Sequence, residues 1–209
     1  MSYRYPDTVL LIFAKAPVPG RVKTRLIPFL GKEGACELYA HMATNIVSHL
    51  SASFLCPVHL CCQPDTSHIF FRGHARRQYV EVESQTGSDL GARMHNAIAH
   101  GLKKYQKAIV IGTDCPDYSV EYIEEAIQQL DVIDVVVGPA YDGGFVLIGM
   151  KKAHASIFYK VEWGGENVLQ TTRRNIATQR LTLNLLSPLH DIDTVEDLKY
   201  ISVTLPYNK

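Results

Sequence analysis

Thr8-Val-Leu-Leu-Ile-Phe-Ala14 runs without a break into Lys15-Ala-Pro-Val-Pro-Gly-Arg21-Val-Lys23-Thr-Arg25, an apolar stretch emptying into a cationic loop. Seven residues without a charge predict a strand covered on both faces, as in a parallel sheet rather than a half-solvated one. Ligands of open α/β sheets lie beyond the carboxyl ends of the strands, so four cations at this exit form a candidate phosphate cradle. Pro17, Pro19 and Gly20 make the loop a stiff turn rather than a loose basic tail. Val22, not Gly, precedes Lys23, which excludes a Walker A loop, and no Gly-x-Gly-x-x-Gly occurs anywhere in the chain.

Outward from this stretch, apolar strand-like runs alternate with helical periodicity to the end of the chain. Strands are predicted at Thr8–Ala14, Pro57–Cys62, Tyr79–Glu83, Ala108–Gly112, Val132–Gly138, Phe145–Gly149 and Leu181–Leu185. Helical stripes run through Ala35, Leu38, Tyr39, Met42 and Ile46, through Leu90, Met94, Ile98, Leu102 and Tyr105, and through Val120, Ile123, Ile127 and Leu130. Val195, Leu198 and Ile201 suggest a short last helix. This alternation predicts a three-layer α/β/α sandwich around a mainly parallel sheet, with the strand-end loops collected on one edge.

The 209 residues read as a single domain, 1–209, without repeats or linkers. Lys plus Arg and Asp plus Glu are both 21, so recognition by charge must be local, and a broad nucleic-acid or membrane-surface binder is disfavoured. No stretch has the length of a membrane span, and the N-terminus lacks the layout of a secretory signal, so a cytoplasmic protein is expected. Five cysteines without a Cys-x-x-Cys pair argue against a disulfide framework or structural zinc. The nine histidines lack ligand spacing.

Four further segments fall at the predicted ligand edge. Gly112-Thr-Asp114-Cys-Pro-Asp117 ends an apolar strand: Asp114 suits a hard cation such as Mg2+ or Mn2+, while Asp117 suits the cap of the next helix. In His190-Asp191-Ile-Asp193-Thr194-Val-Glu196, Asp193 or Thr194 can cap the last helix, with Glu196 reaching back. A carboxylate there, Asp193 before Asp191, can instead face Asp114 across the cleft and complete a metal site. Tyr141-Asp142-Gly143-Gly144 joins two strands as a hairpin turn that can also meet an acceptor. Gln85-Thr-Gly87-Ser88 leads into a helix that Ser88 can cap, where the Gln85 amide and the Gly87 backbone can read a nucleobase edge. Arg93 lies one turn further in. Trp163 reads as a packing residue beside the acceptor end.

In order, these segments resemble the nucleotide-diphospho-sugar transferase superfamily, of glycosyltransferase-A type fold, and within it the DUF2064, or glycosyltransferase-like, branch. The resemblance rests on Lys15 to Leu26, Gln85 to Met94, Gly112 to Pro116, Pro139 to Gly144 and the Asp191-Ile-Asp193-Thr ending. The chain departs from the pattern at Trp163-Gly164, where Trp-Ser is expected, and has two prolines and one glycine in place of a Gly-rich opening loop. Phospholactate and molybdenum-cofactor guanylyltransferases are similar in fold and in the Asp-x-Pro strand tip.

The resemblance implies magnesium on Asp114 and nucleotide phosphates on Lys23 and Arg25. Lys15, Arg21, Gln85, Gly87 and Arg93 complete the expected nucleotide site, and Asp142, Gly143, Gly144 and Trp163 the acceptor side. The leading expectation is nucleotidyl transfer from a nucleoside triphosphate to a phosphorylated small molecule, with Lys23, Arg25, Asp114 and Asp142 as the catalytic set. Glycosyl transfer from a nucleotide-diphospho-sugar, with Asp142 as base, is the rival. A non-catalytic nucleotide-binding regulator is the third reading, and a homo-oligomer is compatible with each.

Overall fold

The computed structural model describes residues 2–76 and 79–201. Seven strands, β1 (Thr8–Lys15), β2 (Val58–Gln63), β3 (Val80–Ser84), β4 (Lys107–Ile111), β5 (Val135–Pro139), β6 (Phe145–Met150) and β7 (Leu183–Leu185), form one sheet. Their order is β3-β2-β1-β4-β6-β5-β7. The pairs β1/β2, β1/β4, β2/β3 and β5/β7 are parallel, while β6 runs antiparallel to both β4 and β5. The expected α/β class with a mainly parallel sheet is the architecture found. Strand ends differ by a few residues: Val132 is exposed and precedes β5, and the last strand is trimmed to three residues.

β1 is buried along its length except at Lys15 because alternate side chains feed different layers. Leu10 and Ile12 pack with Ile46, Val47 and Leu50 of α1 (Ile27–Ala52) and with Ile123 and Ile127 of α4 (Val120–Gln129). Val9 and Leu11 pack on the opposite face with Met94 and Ile98 of α3 (Leu90–Gly101) and Ile176 of α5 (Val168–Thr178). All five cysteines are free and buried, as small apolar fillers of these layers.

Several local expectations are corrected. The sequence reading has no counterpart for α2 (Ile69–Ala75) or α5. The seven residues of α2 are too few to show a period, and α5 buries only Val168, Thr172 and Ile176 within a polar sequence. The first helix begins earlier than its stripe and breaks at Gly31, which takes a left-handed φ of 73°. The last helix is a 3-10 turn, Val195–Tyr200. Asp89 rather than Ser88 caps α3, accepting the Ala92 N–H at 2.9 Å. Ser119 rather than Asp117 caps α4, accepting from Tyr122 at 3.1 Å. Asp197, not Glu196, reaches back to the Thr194 N–H at 2.7 Å.

The strand order fixes where a ligand goes. From β1 the chain steps outward to β2 and β3, then returns to place β4 on the other side of β1, which makes a topological switch point between β1 and β4. Because β6 is antiparallel, the end of β5 and the start of β6 share that edge, bringing the 140–144 turn to the same crevice.

Candidate active site

Val22 and Leu26 anchor the cationic loop. Val22 packs with Cys36, Tyr39 and Ala43, and Leu26 with Leu38, Met42 and Ile192. With these two buried and Arg21, Thr24 and Arg25 turned outward, Lys23 is carried beneath the cleft floor in a left-handed conformation, φ 46°. Its side chain is only 2 % exposed.

The Lys23 ammonium binds Asp114 Oδ1, Asp193 Oδ1 at 3.1 Å and the Ile192 carbonyl at 2.5 Å. Its three donors are thereby used within the protein. Burial alone would lower the Lys23 pKa, but Asp114 and Asp193 outweigh it and the net shift is upward. Asp114 and Asp193 remain half exposed to the cleft, and Arg25 approaches Asp193 at 3.7 Å. The Ile192 N–H donates to the Asp114 carbonyl at 2.9 Å, which ties the 191–193 segment to the tip of β4. Lys23 and Asp114, 91 residues apart, thus meet in one crevice.

Below it lies a buried polar junction. The Tyr39 hydroxyl accepts the Lys15 N–H at 2.7 Å and shares a 3.0 Å hydrogen bond with Thr113 Oγ1, which also reaches the Phe13 carbonyl at 3.4 Å. Tyr118 donates to the Val146 carbonyl at 2.6 Å, fixing β4's exit to β6. The sequence signals Tyr39 only as an apolar member of a helical stripe, so its hydroxyl's role is not legible there.

A cleft of about 530 Å3 opens over these groups. Lys15, Arg21, Lys23, Arg25, Gln85 and Arg93 line it, as do Asp114, Asp142, Gly144, Trp163, Asp191 and Asp193. Gly87 and Gly143, expected at the site, do not line it; each lets neighbouring backbone approach closely. A Cβ at Gly87 would sit 2.6 Å from the Arg93 nitrogen, and one at Gly143, φ 91°, would run into the Glu166 carbonyl. The Asp142 carboxylate closes its own turn, accepting the Gly144 N–H at 2.8 Å. The Gln85 amide nitrogen donates to the Cys61 carbonyl at 2.8 Å and to the Ala14 carbonyl at 3.5 Å, which uses its donors within the protein and leaves its oxygen to accept from a ligand. Trp163 is half buried against Phe145 and Phe158, with centroids 6.2 and 6.3 Å apart, so it packs and lines the cleft together. Asp191, second to Asp193 in the sequence reading, lies in the same acidic patch: burial, then Asp142 and Asp193, push its pKa up to about 6.

Among the described residues no group of three His, Cys, Asp or Glu is arranged to hold a metal. The donor set nevertheless fits magnesium or manganese, since Asp114 and Asp193 come from different elements and already share one cation, the Lys23 ammonium. Magnesium is commonly held by one or two carboxylates plus substrate phosphates. Among the described residues Lys15 and Arg21 make no side-chain ion pair or hydrogen bond, and no helix is long and apolar enough to cross a membrane.

Residues 46–165 match the family model described as "Uncharacterized protein conserved in bacteria (DUF2064)". A proposed nucleotide-diphospho-sugar transferase from Desulfovibrio desulfuricans G20 is 32% identical, with a TM-score of 0.86 over 98% of this chain and 90% of that one. The 4-diphosphocytidyl-2C-methyl-D-erythritol synthase of Anaerococcus prevotii shares 11% identity at a TM-score of 0.55, covering 93% of this chain and 96% of its own. Rv0371c of Mycobacterium tuberculosis H37Rv, solved as a manganese complex, shares 14% at 0.56, covering 94% and 100%. The last two likenesses establish fold only. No curated protein matches the chain.

Proposed function

This chain belongs to the DUF2064 family, and we propose that it is a nucleotide-using transferase that moves a nucleotidyl group from a nucleoside triphosphate to a small-molecule acceptor, releasing pyrophosphate. The observation that carries this reading is one cleft lined by Lys15 and Arg21, whose side chains have no ion pair or hydrogen bond among the described residues, together with Arg25, Arg93 and the Asp114 and Asp193 carboxylates. A triphosphate is the anion whose charge such a wall matches.

An acceptor oxygen attacks the α-phosphorus, the bond from that phosphorus to the α,β-bridging oxygen breaks, and pyrophosphate leaves with the electron pair. Lys15, Arg21 and Arg25 meet the charge that builds on the leaving group. Asp114 and Asp193 would hold magnesium or manganese, which supplies Lewis-acid charge at the phosphate oxygens. Gln85 offers an acceptor to a nucleobase edge, and Gly87 lets the 85–89 loop lie close to Arg93. Asp142, Gly144 and Trp163 flank the acceptor.

One observation favours glycosyl transfer as the second reading. Asp142 and Asp191 both line the cleft, where burial and then Asp142 raise the Asp191 pKa, and such an acidic mouth suits a hydroxyl acceptor better than a phosphorylated one. Thermal melting with magnesium against nucleoside triphosphates and sugar nucleotides separates the two. Ligand at about one hundred times its dissociation constant adds ~2.7 kcal/mol, a rise on the order of 5–10 °C for a chain of this length. Preferential stabilisation by triphosphates supports nucleotidyl transfer, and preference for sugar nucleotides supports glycosyl transfer. No response to either panel overturns both.

A further inference from the structure

We propose that Lys23 is a built-in counter-cation that keeps the Asp114–Asp193 pair at low metal affinity until a nucleotide arrives, so that the divalent ion and the nucleotide enter together. The inference rests on the reading above that these two carboxylates hold the ion. Two carboxylates carry a charge of −2, and the Lys23 ammonium bound to both reduces the trio to −1. Arg25, 3.7 Å from Asp193, reduces the local charge further. Cation affinity at oxygen sites is set by the number of charged ligands and the rigidity of the site, so this trio is a poor site by itself. A triphosphate brings several more anionic oxygens to the same place.

Lys23 is not free to leave. All three of its donors are engaged, its side chain is 98 % removed from solvent, and buried Val22 and Leu26 hold the backbone on either side. The charge it supplies is therefore a fixed property of the empty cleft rather than one conformer among several. Linkage makes the coupling reciprocal: nucleotide tightens the metal by the same factor by which metal tightens nucleotide.

The test is Mn2+ binding to the full chain, followed by electron paramagnetic resonance without nucleotide. Lys23→Gln is expected to bind Mn2+ at least about tenfold more tightly than the wild type, because a unit charge at contact distance is removed. Lys23→Arg, which keeps the charge, should stay near the wild type. Equal affinity in wild type and Lys23→Gln overturns the proposal. If Lys23→Gln does not fold, the wild type decides: half-occupancy below about 100 µM Mn2+ overturns the proposal and half-occupancy above it supports it. Adding Asp114→Asn to Lys23→Gln should remove the Mn2+ site. Persistence of Mn2+ in that double variant shows that the ion sits elsewhere, and the reading of Asp114 and Asp193 as its ligands fails. With a functioning Asp114 site, equal wild-type and Lys23→Gln affinities remove only the role of Lys23.

Discussion

Tyr39, in the middle of α1, and Thr113, at the tip of β4, share a 3.0 Å hydrogen bond beneath the cleft, and the same tyrosine oxygen holds the Lys15 N–H at 2.7 Å. The exits of β1 and β4, which carry the cations and the Asp114 carboxylate, are thus bolted to one buried hydroxyl. Tyr39→Phe removes the partner of the Lys15 N–H and leaves the Thr113 hydroxyl only its 3.4 Å contact to the Phe13 carbonyl, at a cost of about 1–3 kcal/mol. A lowered urea midpoint with an unchanged slope is expected. A midpoint equal to the wild type would show that the junction is not a structural tie.

Asp114→Asn keeps the side chain's volume and removes its charge. It should abolish divalent-dependent turnover while the protein retains its circular dichroism spectrum and cooperative melting. Undiminished turnover would take Asp114 out of the mechanism.

Among the described residues the Lys15 and Arg21 side chains make no ion pair or hydrogen bond, so replacing them costs the fold little. Lys15→Gln and Arg21→Gln should each weaken triphosphate binding about tenfold, ~1.4 kcal/mol, and flatten its dependence on salt. Calorimetric titration at two ionic strengths measures both effects. An unchanged affinity would place the triphosphate away from this loop.

Glu83 of β3 supplies a pH dependence remote from the cleft. A hydrogen bond from His59 holds its carboxyl below the ordinary 4.5, against the upward pull of burial. A carboxyl whose folded pKa is depressed contributes stability above its unfolded value and loses it as pH falls through the folded one. Urea midpoints should therefore decline below about pH 4.5, and Glu83→Gln should flatten that part of the profile. An identical acid limb in the variant would deny Glu83 this share.

Gly143 combines a φ of 91° with a carbonyl, that of Glu166, where a Cβ would lie. Gly143→Ala should cost on the order of 1–3 kcal/mol for the backbone alone, and the clash should open the 140–144 turn against α5. Loss of protection of the Leu169 amide, which donates to the Gly143 carbonyl at 2.9 Å, would report that opening in hydrogen exchange. Retained protection would show that the turn absorbs the methyl.

The sheet was legible in the sequence wherever burial acts through composition. Runs such as Leu10-Leu-Ile-Phe13 and Val135-Val-Val137 carry no polar side chain because both of their faces are covered, and that condition writes itself into consecutive residues. Short or polar elements escaped because their contacts are sparse: α5 is held by one narrow stripe and α2 by a few aromatic residues. Caps were misread by a residue or two because Ser88 and Asp89, or Asp117 and Ser119, offer the same oxygen chemistry. Only backbone angles choose between them.

The amino-acid order by itself determined the layered α/β class, the cationic exit of β1, the acid at the tip of β4 and the family motifs, since each is a property of neighbours along the chain. Only the tertiary structure decided that Lys23 turns inward to Asp114 and Asp193, that Tyr39 ties two strand exits together, and that Asp191 joins the acidic mouth. These are contacts between groups up to 170 positions apart, made by the strand order around β1 and the direction of single side chains. Coulomb forces and hydrogen bonds depend on distance in space, and distance in space is set by the folded chain.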